Sequence, residues 1–308
     1  MIGLGIFGWR VRSLTVFGFA LVAHLSSTQG TTSSLAGEIG AVAPGWDIPR
    51  QLTKGIRVNT AQFLPDGRLL ISGNDSVIVL NADGTNRHKL FSHKGVRRAN
   101  MSPLGGSIVL DNDFDIFLAD PAGVRIRPIA NAPDLFEFAT SFTPNGRHIT
   151  YVTIDDATTT YGICIMNPNG TNKQNLLTRK KPVFRHPRQR PLGGVISFFS
   201  VGPGVQPRIW LLDKRGGQIT PLTNPESDGI SRQASWRSDG QILAYSSRKF
   251  GDFDIWVMDA DGRNKSRITN LKGNEAKPAW SPDGNAIAFL CSRCDGTSGS
   301  DLYIIQRR

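Results

Sequence analysis

One motif recurs six times along the chain, and this recurrence limits the possible folds more than any other feature. The last copy opens with Trp280-Ser281-Pro282-Asp283-Gly284, and the copy before it opens in the same way at Trp236. The six turn glycines are separated by 38, 41, 47, 47 and 44 residues and lie at Gly67, Gly105, Gly146, Gly193, Gly240 and Gly284. A repeat of about 40 residues with four strand-like runs is typical of a β-propeller blade. We therefore predict an all-β, six-bladed propeller of four-stranded antiparallel blades.

The residues inside each copy favour strands over helices. Runs such as ILAYSS and DIWVMDA are short and rich in β-branched and aromatic residues. Ser281-Pro282-Asp283-Gly284 suits a reverse turn, because proline presets the backbone angle and glycine accepts a left-handed one. Asp259-Ala260-Asp261-Gly262 resembles the opening of a calcium loop but lacks the closing glutamate, so we expect a hairpin turn. No segment after residue 45 has a long helical period.

The two ends of the chain predict how the ring closes. The last copy stops after its third strand, at IIQRR. The segment Asp47 to Thr53, DIPRQLT, is similar to the fourth-strand segments GQITPLT and NKSRITN. Pairing this segment with the last blade would remove two exposed sheet edges. We therefore predict that an N-terminal strand completes the last blade and that residues 46–308 form one propeller domain.

The amino end has the order of a secretory signal. Arg10 and Arg12 precede a short apolar run, Leu14 to Ala23, and small and polar residues follow it. We predict a signal peptide at residues 1–30 and a flexible linker at 31–45, with an uncleaved anchor as the alternative. No later stretch approaches the roughly 20 apolar residues of a membrane helix. We expect a periplasmic or secreted protein with no transmembrane span after signal cleavage.

The repeat also resembles that of a known family. The pattern W-S-P-D-G, I-A-F and D-I-W-V-M-D-A-D-G is similar to the repeat of TolB-like β-propellers, a WD-repeat-like family, and residues 234–270 and 276–305 carry it best. Met101 and Gln189 depart from it, where Trp or Phe is expected. The resemblance implies a six-bladed propeller and, through the family, a role in the cell envelope. We expect no counterpart of the α/β domain that precedes the propeller in TolB.

The charge of the chain favours an anionic partner. Lysine and arginine number 36 against 25 aspartates and glutamates, a net charge of +11. We call Trp280 and its equivalents in the other copies the anchor position. Strand alternation predicts that the residue three before each anchor points toward the central channel. Arg98, His186 and Lys277 occupy this register, with Arg188 one step further, so we expect a positive channel mouth; solvated rim charges are the alternative.

A basic block in the fourth copy is the second binding candidate. From Ala157 to Leu212 there is no Asp or Glu but there are eight Lys or Arg, most of them in RKKPVFRHPRQR. Its predicted binding residues are Arg179, Lys180, Lys181 and Arg185. Phe184 is the one aromatic residue of the block, so the stacking platform of a single-strand nucleic-acid binder is missing. We expect a protein partner or anionic ligand, no nucleic acid and a monomer; a solvated basic loop is the alternative.

The remaining candidates concern cysteines, metals and catalysis. Cys291 and Cys294 form a C-x-x-C pair, for which we predict a local disulfide, with two free thiols as the alternative. Glu137 and Glu275 share the register five before the anchor and are candidate ligands for calcium; hydrogen bonds that cap strand ends are the alternative.

No catalytic residue is predicted. The histidines beyond the signal are scattered over different copies, and no G-x-S-x-G elbow occurs. The leading hypothesis is an exported non-catalytic binding module without a cofactor. The alternative is a metal-assisted hydrolase, lyase or isomerase with its site in the channel.

Overall fold

The computed structural model describes residues 43–215, 217–296 and 299–308, which form six four-stranded antiparallel sheets. The predicted signal segment, residues 1–30, and most of the predicted linker, 31–45, lie outside the described residues. The prediction of an all-β propeller with six blades is confirmed.

Each blade follows the previous one along the chain. The first strand is β1 (Arg50–Gln51). Blade 1 contains β2 (Thr60–Phe63), β3 (Leu69–Gly73), β4 (Ser76–Leu80) and β5 (His88–Ser92). Blade 2 contains β6 (Arg98–Met101), β7 (Ile108–Asp111), β8 (Ile116–Ala119) and β9 (Ile126–Ala130). Blade 3 contains β10 (Leu135–Phe142), β11 (Ile149–Asp155), β12 (Thr160–Met166) and β13 (Gln174–Arg179).

The second half of the ring continues in the same order. Blade 4 contains β14 (Val183–Gln189), β15 (Val195–Gly202), β16 (Val205–Asp213) and β17 (Ile219–Pro221). A single-turn helix, α1 (Pro225–Asp228), follows it. Blade 5 contains β18 (Ser231–Trp236), β19 (Ile242–Phe250), β20 (Asp252–Asp259) and β21 (Ser266–Arg267). Blade 6 contains β22 (Asn274–Trp280), β23 (Ala286–Ser292) and β24 (Ser300–Gln306).

Helix α1 was not predicted. The Asn224 side chain accepts a hydrogen bond from the Glu226 amide, and Pro225 opens the helix. An asparagine cap followed by proline is a helix-start signal, but one turn is too short to produce a periodic pattern.

The chain closes the ring as predicted. Strand β1 pairs antiparallel with β24, so that Arg50 lies opposite Ile304. Thr53 extends this contact, because its Oγ1 accepts from the Leu302 amide at 2.9 Å and donates to Asp301 Oδ1 at 2.9 Å. The first and last segments of the domain are therefore joined by main-chain and buried side-chain hydrogen bonds.

The hydrophobic core is divided among the interfaces between neighbouring blades. Phe63 and Leu69 of blade 1 pack with Ala288 and Leu302 of blade 6 in one cluster. Corresponding clusters join each of the other adjacent pairs. Because every blade buries both faces against a neighbour, no blade is a stable unit alone.

The first strands of blades 3 to 6 are interrupted at the same register. The residue three before the anchor has a left-handed backbone at Ala139, His186, Gln233 and Lys277, with φ between 50° and 58°. The pairing with the second strand shifts at each of these points. These are β-bulges, which redirect side chains and are frequent next to functional sites. In blades 1 and 2 the strand simply begins at this register, at Thr60 and Arg98.

Candidate anion-binding channel

The first strand of each blade lines the centre of the ring, and the basic residues of these strands meet there. Arg98 comes from blade 2, and its side chain is 12% exposed. Its Nη1 donates to Asp111 Oδ1 and to Asp113 Oδ1, each at 2.8 Å. Asp111 is buried and also accepts from the Thr140 amide and hydroxyl of blade 3. The carboxylate of Asp111 thus joins the Arg98 side chain to the next blade.

Two arginines of blade 4, Arg185 and Arg188, lie near Arg98. The Arg185 guanidinium lies 4.6 Å from the centre of the Phe138 ring, and the Arg98 guanidinium lies 6.0 Å from the same ring. Arg188 Nη1 donates to the Thr140 carbonyl at 3.4 Å and to the Pro187 carbonyl at 3.2 Å. Burial, followed by the charge of Arg98, lowers the pKa of both Arg185 and Arg188 to about 10. Both side chains remain cationic at neutral pH.

Blade 6 contributes a lysine. Lys277 Nζ donates to the Asn59 carbonyl of blade 1 at 2.5 Å, and the Lys277 amide donates to Gln233 Oε1 at 3.2 Å. Burial, with the charge of Arg98 as the next cause, lowers the pKa of Lys277 to about 8. The ammonium group is still mostly protonated at pH 7.

His186 occupies the same register in blade 4 and is kept neutral. Its ring stacks on Phe199, with centroids 5.6 Å apart. Burial and the surrounding cations, Arg98 first, lower its pKa well below the ordinary value of 6.5. His186 can therefore offer a hydrogen bond to a ligand, but it adds no charge at neutral pH.

The positive charges of the channel exceed the negative ones. The carboxylates of Asp111 and Asp113 both pair with Arg98. Asp113 also pairs with the adjacent Arg97 at 3.3 Å. Among the described residues, Arg185, Arg188 and Lys277 form no ion pair with a carboxylate. A buried cation without a counterion is costly unless it is paired or hydrogen-bonded. Arg188 and Lys277 are satisfied by carbonyl oxygens, and the channel keeps an excess of positive charge.

The predicted basic block is split by the fold. Arg185 lies at the channel, whereas Arg179, Lys180 and Lys181 are exposed at the turn between β13 and β14. The interaction that the structure gives Arg179 Nη1 is a 3.0 Å hydrogen bond to the neighbouring Thr178 carbonyl. These three residues form a separate basic surface, which we call the blade 4 loop.

Glu137 and Glu275 each engage a separate set of protein groups. Glu137 accepts from the Ala132 amide at 3.1 Å and pairs with Lys173 at 3.3 Å. Glu275 accepts from the Leu271 amide at 2.6 Å and from the Thr269 hydroxyl, and burial raises its pKa to about 7. Both carboxylates cap the loop that enters their own strand, which is the alternative interpretation. No three His, Cys, Asp or Glu side chains of the described residues come together as a metal site.

Cys291 and Cys294 form a disulfide in the structure, with Cα atoms 5.8 Å apart. It lies at the end of β23, at the loop that leads to β24. Cys164 is a buried free cysteine in blade 3, whose pKa burial raises to about 11. The two cysteine environments are therefore separate, and Cys164 is not a reactive thiolate at neutral pH.

Sequence reasoning missed the acidic half of the channel. Asp111 and Asp113 lie in the segment DND at the end of β7, and Phe138 and Thr140 flank a bulge. Two acids separated by one residue after a strand are a common turn composition. Their role depends on contacts between blades, which no local pattern contains.

Comparison with known proteins agrees with this architecture. The family described as TolB beta propeller domain matches residues 148–306. The protein TolB homolog of Chlorobium luteolum is 28% identical over 117 residues, which cover 38% of this chain and 26% of that relative. The chain thus matches about a quarter of the relative's length.

Solved structures show the same fold at low sequence identity. TolB from Acinetobacter baumannii superposes with a TM-score of 0.60 at 17% identity, over 82% of this chain and 63% of that chain. An oligogalacturonate lyase from Vibrio parahaemolyticus superposes with a TM-score of 0.60 at 13% identity, over 84% of this chain and 93% of that one. Within the described residues, no helix has the length and apolar character that crossing a bilayer requires. The family match covers just over half of the sequence, and the chain belongs to the TolB β-propeller domain family.

Proposed function

We propose that this protein is an exported, non-catalytic binding module that recognises an anionic ligand, such as an acidic segment of a protein partner. Its ligand would enter the channel mouth between Arg98, Arg185, Arg188 and Lys277. The observation that carries the proposal is that three of these four cations have no carboxylate partner within the described residues. Export is supported by the charged, apolar and small-residue order of residues 1–30.

The blade 4 loop has a different part in this proposal. Exposed charges such as Arg179, Lys180 and Lys181 steer an anion over distances comparable to the Debye length, and salt screens them strongly. Buried cations are screened less, so they contribute more to holding the ligand. We expect the loop to affect the association rate and the channel to affect the dissociation rate.

An acidic peptide tests the proposal directly. A fluorescently labelled octaglutamate is titrated against the full chain by anisotropy, at low and at high salt. Replacing two channel cations, Arg188→Gln with Lys277→Gln, should weaken binding by at least about 10-fold, since each removes a charge-assisted hydrogen bond.

A control double variant removes the same number of positive charges at a different surface. Arg87→Gln with Lys89→Gln also removes two cations, but both are exposed at the outer edge of blade 1. We expect this pair to change the affinity by less than about twofold. If the channel pair binds like wild type, or if both pairs weaken binding equally, the channel is not the anion site.

A further inference from the structure

Blade 3 lacks two side chains that the repeat supplies in most other blades. One position of the third strand is aromatic in blades 2, 4, 5 and 6, namely Phe117, Trp210, Trp256 and Tyr303. Blade 3 has Cys164 there, opposite Tyr151. Two residues earlier, blades 2, 5 and 6 have an aspartate, at Asp115, Asp254 and Asp301. Blade 3 has Gly162 at this position, so both exchanges remove volume from one face of the blade.

The volume left by these exchanges is an open cavity. It measures about 360 Å³, and its lining includes Gly162, Cys164 and Tyr151. Small-molecule sites occupy roughly 300–1,000 Å³, so the cavity has room for one small ring. A Cβ atom at Gly162 would clash with Thr153 Oγ1 and would lie 3.5 Å from Asn175 Oδ1. Both oxygen atoms therefore border the space that the glycine leaves.

Three uncharged side chains of the lining keep hydrogen-bonding capacity. The Thr153 hydroxyl has a weak contact, 3.7 Å from Cys164 Sγ. The Tyr151 hydroxyl lies beside the same thiol and has no hydrogen bond to a nitrogen or oxygen atom of the described residues, although the residue is 2% exposed. Asn175 Nδ2 donates to Thr178 Oγ1 at 2.5 Å, which leaves Asn175 Oδ1 as an acceptor. A ligand that pairs with these groups would recover hydrogen bonds that the fold leaves unmade.

The charges at the cavity are already engaged. Lys173 Nζ lies 3.3 Å from Glu137 Oε1, and the Glu137 side chain is 2% exposed whereas that of Lys173 is 39% exposed. The second oxygen of Glu137 accepts from the Ala132 amide at 3.1 Å. Asp155, at the rim, accepts from two amides of its own hairpin. The buried glutamate thus holds Lys173 at the cavity, and the ammonium group has further N–H donors for a ligand.

This lining selects among classes of small ligand. A carboxylate would approach the charges of Glu137 and Asp155, and an ammonium group would approach Lys173. A hydroxyl group carries no charge, and it donates and accepts through the same atom. Several hydroxyls on one ring can therefore pair with the Lys173 donor, the Asn175 acceptor and the protein hydroxyls together. Leu135 in the same lining offers apolar surface to the C–H groups of such a ring.

We propose that this blade 3 cavity binds a neutral monosaccharide ring, through Lys173, Thr153, Asn175 and Tyr151. The same chemistry occurs in a free sugar and in the terminal sugar of a glycan. The cavity is lined by residues of blade 3 and the loop that enters it, and none of the channel cations belongs to it.

Ligand-observed NMR titration of the full chain with D-glucose, D-galactose and D-mannose tests the proposal. At least one of the three should bind with a Kd of about 10 mM or tighter. The uronic acid and the 2-amino sugar of the same ring should bind about threefold to 10-fold more weakly, because each adds a charge that the cavity repels. The methyl glycoside distinguishes the sources, since binding at least as tight as that of the free sugar identifies a glycan end and weaker binding a free sugar.

Two variants at one position separate the cavity from the rest of the blade. Cys164→Tyr restores an aromatic residue of the repeat and should weaken sugar binding by at least about 10-fold, because the ring fills the cavity. Cys164→Ala keeps the cavity open and should bind within about twofold of wild type. Thr153→Val removes a hydroxyl at constant shape and should weaken binding by about threefold to 10-fold, whereas the exposed Thr85→Val should not change it.

The result that would overturn the proposal is that none of the three sugars binds. Binding that a folded Cys164→Tyr leaves unchanged would overturn it as well, with thermal unfolding as the check on folding. If Cys164→Tyr does not fold, wild-type affinity in both Thr153→Val and Lys173→Gln has the same meaning. Octaglutamate binding should be within about twofold of wild type in the blade 3 variants, so failure at this site is distinguishable from failure of the channel proposal.

Discussion

The burial of the charged Lys277 side chain in the channel should lower the free energy of unfolding of the protein. Folding lowers its pKa from the ordinary 10.5 to about 8, mainly through burial. By linkage, keeping the ammonium protonated at pH 7 costs about 3 kcal/mol relative to the unfolded chain. Lys277→Met removes that cost but also removes the hydrogen bond to the Asn59 carbonyl, worth about 1 kcal/mol. We therefore expect the variant to be more stable than wild type by about 2 kcal/mol at pH 7.

Thermal unfolding at several pH values measures this difference. A gain of about 2 kcal/mol corresponds to a rise in Tm of roughly 4–8 °C for a domain of this size. Since the folded pKa is depressed, the unfolded chain binds more protons, and the stability of wild type rises with pH between about 8 and 10.5. The advantage of the variant should therefore shrink by about 1 kcal/mol between about pH 7 and pH 9.

Two comparisons make the prediction decisive. Lys89→Met removes a lysine from the exposed strand β5 and should change stability by no more than about 0.5 kcal/mol at either pH. The Lys277→Met variant should also weaken octaglutamate binding, by less than the double variant Arg188→Gln with Lys277→Gln. A variant that is less stable than wild type at pH 7, or whose stability difference does not vary with pH, would refute the account of Lys277 as a buried cation whose burial costs more than its contacts return.

Three further measurements test other parts of the fold. Thr53→Val leaves the Leu302 amide and one oxygen of Asp301 without their hydrogen bonds at the ring closure, so it should lower the free energy of unfolding by about 2–4 kcal/mol in denaturant titrations. The control Thr85→Val, at an exposed turn, should lower it by under about 0.5 kcal/mol. Burial raises the pKa of Glu275 to about 7, so wild type should lose stability relative to Glu275→Gln as the pH rises from about 5 to 8. The same comparison with the exposed Glu226→Gln should show no such loss, and an equal dependence on pH for both variants would contradict the effect of burying Glu275. Calcium should leave the Tm of the full chain unchanged, because Glu137 and Glu275 are engaged by Lys173 and by backbone amides; a rise in Tm that Glu137→Gln abolishes would show that the carboxylates do bind the ion.

The strand order of the fold could be predicted because each copy carries its own local strand and turn signals. Each repeat carries its own turn residues, and the match between the segment at Asp47 and the other fourth strands predicted how the ring closes. Turn glycines also serve contacts between blades that the repeat did not reveal. At Gly170, with φ of +89°, a Cβ atom would lie 2.5 Å from the Ile129 carbonyl of the preceding blade. The glycine was predictable from turn chemistry, but this close approach was not.

The candidate site could be predicted only in part. Strand alternation predicted one register for Arg98, His186 and Lys277, with Arg188 one step further, because that register is a property of each strand alone. It could not separate Arg185 from Arg179, Lys180 and Lys181, because continuous sequence does not show where a strand leaves a loop and enters the channel.

The sequence by itself determined the class of fold, the number of blades, the closure of the ring and the positive sign of the channel. These properties follow from the spacing of the repeats and from the residue composition, and both can be read segment by segment without knowing how the blades pack. Only the tertiary structure decided which cations are paired, since Asp111 and Asp113 form ion pairs with Arg98 and Arg97 but, within the described residues, not with Arg188 or Lys277. It also decided that Glu137 and Glu275 cap loops and that Trp280 keeps a free N–H. Such pairings are set by the distances between residues far apart in the chain, and those distances exist only after the blades have packed.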